Sequence, residues 1–375
     1  MKVVMTLLVR DEDDIIEANL AYHLHRGVDF IIATDNGSRD GTRAILERYA
    51  DAGVLRLIDE PGDDYSQHRW VTRMARLAAT EHGADWVIHN DADQFWWPDE
   101  GSLKEVLAAV PPEYGVLPAP KCHFIARRDV DDAAFFADVL CLREVLPDSR
   151  TGMTSIGRPI KFGIAHRAVA DVVVAQGNHA VDGVGLPALP PWAAVTIWHF
   201  PERGYARFET KVVNGGRAYA RNQELPPSAG RHWRHFYERY QAGALRDEYA
   251  ALAWSDEELQ TGLEEGRLVD DRRLEGLLGR LRVTSNDDRY TFGRPQTGPL
   301  ETVQPPTDLV RSVERAIASH EIEKVRKAAR NKVRAARHEA RELAARLEAV
   351  EGSRQSAETF SRPVRRIVRR YLRQR

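Results

Sequence analysis

Residues 86–98 read Trp86-Val87-Ile88-His89-Asn90-Asp91-Ala92-Asp93-Gln94-Phe95-Trp96-Trp97-Pro98. An apolar run ends in an Asp-Ala-Asp triplet, and three large aromatics follow at once. On an extended strand alternate side chains share a face, so Asp91 and Asp93 project the same way from its carboxyl end. Two neighbouring carboxylates repel unless a cation lies between them. A hard divalent ion such as Mg²⁺ or Mn²⁺, held by one or two carboxylates together with phosphate oxygens, is a common solution. A solvated acidic turn has the same local appearance, so the flanking sequence decides the reading.

Working toward the N-terminus, residues 3–9 form an apolar run broken only by Thr6, the pattern of a strand covered on both faces of a parallel sheet. Asp11, Glu12, Asp13 and Asp14 then open a helical pattern through Ile15, Ile16, Leu20 and Leu24, closed by Gly27. Residues 28–34 read as a second strand, and Asp35-Asn36-Gly37-Ser38 as a turn. A second helix follows from Asp40-Gly41-Thr42. Residues 54–58 give a third strand, 66–81 a third helix and 86–89 a fourth strand. This alternation predicts a doubly wound α/β domain. In such sheets the ligand crevice lies beyond the carboxyl ends of the strands. Arg10-Asp11, Asp35-Asn36 and Asp91-Ala92-Asp93 all fall there. Shorter strands are expected near 115–117, 160–164, 169–175 and 194–198, and helices over 205–221 and within 231–283.

The chain has 375 residues and a formal net charge of −2, which argues against a globally basic nucleic-acid binder. Its two cysteines, Cys122 and Cys141, have no metal-motif spacing and suit a reducing compartment. No apolar run is long enough to span a bilayer, and the N-terminus lacks the features of a signal peptide, so a cytoplasmic protein is expected. Residues 284–308 read as a linker. Residues 311–350 carry Ile322, Val325, Ala329, Ala336, Ala340, Leu343, Leu347 and Val350 at spacings of mostly three and four, a long amphipathic helix suited to homo-oligomeric coiled-coil pairing. The last segment, FSRPVRRIVRRYLRQR, has seven arginines and no acid after Glu358. Its basic amphipathic pattern over 360–375 is that of an anchor to anionic membrane.

The stretch VVMTLLVRDEDDIIEANLAYHLHRGVDFIIATDNGSRDGT, followed about forty residues on by DWVIHNDADQFW, resembles family-2-like glycosyltransferases of the GT-A fold. More narrowly, it resembles a subgroup with DNGSxDGT and DxD(E/Q)F motifs, and the match covers roughly residues 1–220. Asp11 stands where relatives usually have Asn, and Gln94 where they often have Glu. The Glu-Asp pair that supplies the base in many family-2 enzymes is not evident.

The resemblance implies a GT-A-type doubly wound mixed sheet over 1–225. A helical extension and linker (226–310), the long helix (311–352) and the basic tail (353–375) would follow. It also implies transfer of a sugar from a nucleotide-diphosphate donor, expected to be a UDP-sugar, to a saccharide or lipid-linked acceptor with Mg²⁺ or Mn²⁺. Arg10, Asp11, Glu12, Asp35, Gly37 and Asp91 would border the nucleotide, with Lys161 and Lys211 neutralising phosphate. Asp91, Asp93, His179 and His199 are the candidate metal ligands. Asp182 and Glu202 are the candidate bases, Arg203 is a further phosphate-binding candidate, and Trp96 and Trp97 could form a platform for an acceptor ring. Missing the glycine-rich loops of nucleotidyltransferases and dehydrogenases after strand one, the chain fits those classes poorly. The remaining alternative is a catalytically silent scaffold docking through its C-terminal helix.

Overall fold

The computed structural model describes residues 1–62, 66–128, 130–132, 134–146, 152–222, 230–283, 291–292 and 303–371, with the side chains of 283, 291 and 347–371 outside the description. The first half runs β1 (Val3–Val9), α1 (Ile16–His25), β2 (Phe30–Asp35), α2 (Thr42–Asp51), β3 (Leu55–Asp59), α3 (Gln67–Thr80), β4 (Trp86–Asp91), β5 (Gln94–Pro98), α4 (Leu103–Ala109) and β6 (Val116–His123). Next come α5 (Phe136–Val139), β7 (Leu142–Glu144), β8 (Phe162–Arg167), β9 (Val173–Val174), β10 (Val181–Asp182), β11 (Val195–His199) and α6 (Tyr205–Arg221). The remainder is α7 (Arg231–Gln241), α8 (Leu245–Leu252), α9 (Asp256–Glu264), β12 (Leu268–Asp270), α10 (Arg273–Leu281), β13 (Arg282–Val283), β14 (Thr291–Phe292) and α11 (Thr307–Tyr371).

Eight strands form one sheet in the order β3-β2-β1-β4-β8-β6-β11-β5. The four from β3 to β4 are parallel. β8 runs antiparallel to both neighbours, and β11 is parallel to β6 and antiparallel to β5. The chain is therefore an α/β protein with a mixed sheet and a helical C-terminal segment. Val4, Ile32 and Val87 from the parallel strands pack against Val71, Met74, Ala75 and Ala78 of α3. Each of the larger side chains so buried contributes about 1.5–3 kcal/mol.

Two local features differ from the expected pattern. The acids 11–14 do not form the first turn of α1, which starts at Ile16. They make a loop in which Asp11 takes φ 54, a left-handed conformation that Asp and Asn tolerate best among residues with a side chain. β6 also extends well past the expected end near 117, through Pro118 and Pro120 to His123.

Contacts divide the chain into two compact units, 1–316 and 317–375. In the second unit, residues 321–346 are exposed on a continuous helix. Ile322, Val325, Val333 and Leu343 are each at least half exposed there. The linker segments 284–290 and 293–302, and the side chains of the arginine-rich tail, lie outside the described residues. Among the described residues no helix is long and apolar enough to cross a membrane.

Candidate active site

β4 pairs with β8 only as far as Ile88, so its last residues have no strand on that side. There the chain turns at Ala92-Asp93 and begins β5 against β11. The register sets Gln94 opposite His199, and His199 opposite His123 of β6. The turn is held from α1. The buried Asn19 amide donates to the carbonyls of Ala92 (2.8 Å) and Gln94 (2.7 Å), while its own carbonyl accepts from Asn90 (3.0 Å). A buried amide so satisfied fixes the backbone that carries both acids.

The two carboxylates have different surroundings. Asp93 is 3% exposed, with Lys211 Nζ 2.5 Å from Oδ2, His199 Nε2 3.4 Å from Oδ1 and Arg203 Nη1 4.0 Å away. Burial alone would favour its neutral form, but Lys211, His199 and Arg203 outweigh it and hold the acid well below the usual carboxylate range. Asp91 lies under the opposite balance. Burial raises its pKa, and Lys121 is the strongest opposing charge. Both its oxygens accept amide hydrogen bonds, Oδ2 from Gln94 (2.6 Å) and Oδ1 from Asn178 (3.1 Å). The Gln94 amide thus does what a glutamate could not, donating to a carboxylate at contact distance.

Each acid has a histidine on its side. Burial pushes His199 down to about 4, so the ring is neutral, and among the described residues its buried Nδ1 has no hydrogen-bond partner. His179 meets the Phe162 carbonyl through Nδ1 (2.9 Å), which fixes the proton there and leaves Nε2 as the free nitrogen. Among the described residues no group of three or more His, Cys, Asp or Glu side chains forms a ready metal cage. Asp93 Oδ1 and the neutral His199 Nε2 are nonetheless two facing donors of the right kind. They fit an ion that takes its other ligands from substrate oxygens and water. Glu202 joins the same neighbourhood. Burial raises its pKa, against the opposing charges of Arg158, Lys211 and His123.

The acidic loop before α1 is arranged differently. The buried Arg203 reaches it from the segment before α6, bonding Asp14 at 2.7 and 3.1 Å and pairing with Glu12. Arg207 pairs with Asp13 at 2.8 Å. Asp11 accepts from the backbone of Arg39 (2.6 Å) and the Asn214 amide (2.7 Å). Gly204, at φ 108, permits the tight entry into α6, since a Cβ there would stand 2.1 Å from Asp132 Oδ1. Arg203, expected to bind phosphate, instead clamps Glu12 and Asp14.

The other expected site residues fall as follows. Asp35 is buried, accepts from the Ser38 backbone (3.0 Å) and stands 3.6 Å from Arg43, in the tight turn that Gly37 completes at φ 71. Arg10 Nε lies 3.9 Å from Asp11 and among the described residues has no hydrogen-bond partner. Lys161 is exposed, and its carbonyl accepts from the Lys121 backbone at 2.7 Å. Asp182 is exposed on the β9–β10 hairpin, and among the described residues it shares no hydrogen bond or ion pair with the cluster. Trp96 and Trp97 are core residues, 1% and 6% exposed, and Trp97 stacks on Trp198 at 3.9 Å between centroids. Neighbours on β5, they are buried on its opposite faces and offer no open platform.

Three side chains not anticipated from the sequence complete the cluster. Lys121 and His123 come from β6, and Glu144 from β7. Glu144 is fully buried and holds His123 Nδ1 at 2.6 Å, and the rings of His123 and His199 lie 5.0 Å apart. A lysine and a histidine inside an apolar run, GVLPAPKCHF, were the available signal.

No protein-family profile matches the chain, and no curated protein matches it. Similar solved structures do exist. S. aureus TarS 1-349 is 14% identical over 65% of this chain and 74% of that one, with a TM-score of 0.31. The mannosyltransferase PcManGT from Pyrobaculum calidifontis, in complex with GDP-Man and Mn²⁺, is 17% identical over 71% and 79%, with a TM-score of 0.32. Glucosyl-3-phosphoglycerate synthase from Mycobacterium tuberculosis, in complex with Mn²⁺, UDP and glucosyl-3-phosphoglycerate, is 19% identical over 32% of this chain and 44% of its own, with a TM-score of 0.23. The chain thus spans less than half the length of that synthase. At these TM-scores the likenesses assign neither fold nor activity to this chain.

Proposed function

We propose that this protein is a glycosyltransferase that moves a sugar from a nucleotide-diphosphate donor, a UDP-sugar in the first instance, to a hydroxyl of a saccharide or lipid-linked acceptor. The observation that carries this reading is the Asp91–Asp93 turn at the carboxyl edge of the sheet, with Asp93 kept ionised among Lys211, His199 and Arg203. Asp93 and His199 would hold Mg²⁺ or Mn²⁺, which when bound neutralises charge on the departing diphosphate. Asp91, its oxygens directed by Gln94 and Asn178, would meet the ribose or a metal-bound water, and His179 would border it. Arg10, Asp11 and Asp35 would line the nucleotide, and Glu12, held by Arg203, would border it. Lys211 would pass from Asp93 to a phosphate oxygen as the ion arrives. Glu202 is the stronger of the two candidate bases, because it lies in the field of Lys211, His123 and Asp93, whereas Asp182 is exposed on the β9–β10 hairpin.

The test is a screen of nucleotide sugars for Mn²⁺-dependent hydrolysis and thermal stabilisation, in the parent and in Asp93→Asn. The parent should bind UDP with metal, and the variant should lose about a hundred- to a thousandfold in turnover. Metal-dependent UDP affinity equal in both would refute the assignment.

The sequence of 360–375 supports contact with an anionic membrane surface, and the exposed apolar residues of 321–346 support pairing with a second copy. Full-length protein should float with phosphatidylserine vesicles and sediment as an oligomer. A chain ending at residue 359 should lose flotation alone. Equal flotation of the two removes the anchor, and a monomeric full-length protein removes the pairing.

A further inference from the structure

Lys121 differs from Lys211, Arg203 and Arg207 in the cleft. Lys211 has Asp93, Arg203 has Glu12 and Asp14, and Arg207 has Asp13. Lys121 is only 5% exposed, yet among the described residues its ammonium makes no hydrogen bond and no ion pair. The stem runs past Gly163, whose missing Cβ would stand 3.7 Å from Lys121 Cε. Asp91 is the carboxylate it feels most, but both Asp91 oxygens are already engaged by Gln94 and Asn178. Burial disfavours its charged form, so the side chain holds an unmet demand for an anion.

The surroundings repeat that demand. Lys121 and Lys161 are joined through the backbone at 2.7 Å, and neither has a carboxylate partner within ion-pair distance among the described residues. The fold places them on β6 and just ahead of β8, on the far side of β4 from β1 and β2, whose ends carry Arg10, Asp11 and Asp35.

We propose that Lys121, flanked by Lys161, anchors an oxyanion subsite that takes a phosphate group of the substrate directly, without a metal ion. The inference deepens the glycosyltransferase reading of this cleft, but it is read out separately. The phosphate could belong to the donor diphosphate or to a phosphorylated acceptor; the chemistry at Lys121 is the same, a charge-assisted hydrogen bond from an ammonium to a phosphate oxygen.

The test uses the full chain in EDTA, with inorganic pyrophosphate as the probe, followed by calorimetry and thermal melting. Lys121→Met keeps the length and apolar stem, and Lys121→Arg keeps the charge. The parent and Lys121→Arg should bind pyrophosphate and gain melting temperature, while Lys121→Met should bind about ten- to a hundredfold more weakly. Without ligand, Lys121→Met should melt at or above the parent, because it removes a charge that burial disfavours and that has no ion-pair partner among the described residues. Pyrophosphate affinity equal in the parent and Lys121→Met would overturn the proposal. So would a lower melting point of unliganded Lys121→Met, which would make Lys121 a structural partner of Asp91. Repeating the titration with saturating UDP and Mn²⁺ separates the sources. Loss of Lys121-dependent binding supports the donor diphosphate, and its persistence supports a phosphorylated acceptor. Lys121-dependent pyrophosphate binding in a parent that ignores UDP would overturn the nucleotide reading and leave this one standing.

Discussion

Two acid-bearing loops share the carboxyl edge of the sheet, and their partners set them apart. In the 11–14 loop nearly every charge is answered within the fold, Glu12 and Asp14 by Arg203 and Asp13 by Arg207. Around the 91–93 turn, among the described residues, His199 Nδ1 and Asn178 Oδ1 are buried without a hydrogen-bond partner, and the Lys121 ammonium has no ion pair. Folding tends to satisfy buried polar groups, so unsatisfied ones beside paired carboxylates at a sheet edge are where a ligand can complete the structure. The acidic loop looks as functional as the turn when read as sequence. Through Arg203 and Arg207, its residues Glu12, Asp13 and Asp14 clasp the start of α1 to the entry of α6, which leaves the nucleotide role proposed for this loop to Arg10 and Asp11.

The sharpest way to break this contrast is Arg203→Met. It leaves the half-buried Glu12 with no guanidinium and Asp14 with only Arg207, 3.9 Å away, which should cost about 3 kcal/mol in urea unfolding. A variant that keeps its stability but loses nucleotide binding would move the acidic loop from clasp to binding site. Acid titration makes a second, smaller distinction, between both loops and the strands beneath them. His166 is fully buried, bonds the Arg167 carbonyl at 2.8 Å and meets His89 at 3.1 Å. Burial pushes it from 6.5 to about 4, so the unfolded chain binds the proton more readily. Stability is present in full above about pH 6.5 and falls as pH drops toward 4, by about 3 kcal/mol for this residue. His166→Gln should flatten unfolding free energy across that window. If the slope persists unchanged, the acid lability lies elsewhere, in the loop ion pairs or another buried histidine.

How much of this could be read from the sequence follows the same division between local and distant partners. The strand–helix alternation through β4 is legible because each segment carries its own apolar period, and α6 is legible because Arg203-Gly204 punctuates its start. The positions of Asp91 and Asp93 are legible for the same reason. β6 is foreshortened in the sequence reading because proline inside a central strand argues against that strand. The structure accommodates Pro118 and Pro120 where β6 borders only β8, and β11 joins from Lys121 onward. Lys121 and His123 were therefore missed together. The role of Arg203 was hidden by distance, since Glu12 lies 191 residues away from it.

The smallest effect tests the turn itself. Gln94 donates to Asp91 at 2.6 Å, where relatives of the resembled family often carry Glu. Gln94→Glu brings two carboxylates into contact, so the pair should retain a proton to a higher pH than either acid alone. The folded state would then bind that proton more tightly than the unfolded chain. The variant should match the parent at low pH and fall below it as pH rises, by about 1–2 kcal/mol at pH 8. A divalent ion at Asp93 supplies the positive charge the pair lacks, so Mn²⁺ should stabilise Gln94→Glu more than the parent and narrow the gap. If the gap is absent at every pH, Asp91 is not committed to Gln94. If it is present but indifferent to Mn²⁺, the ion binds away from this turn, and the unanswered groups around it await some other ligand.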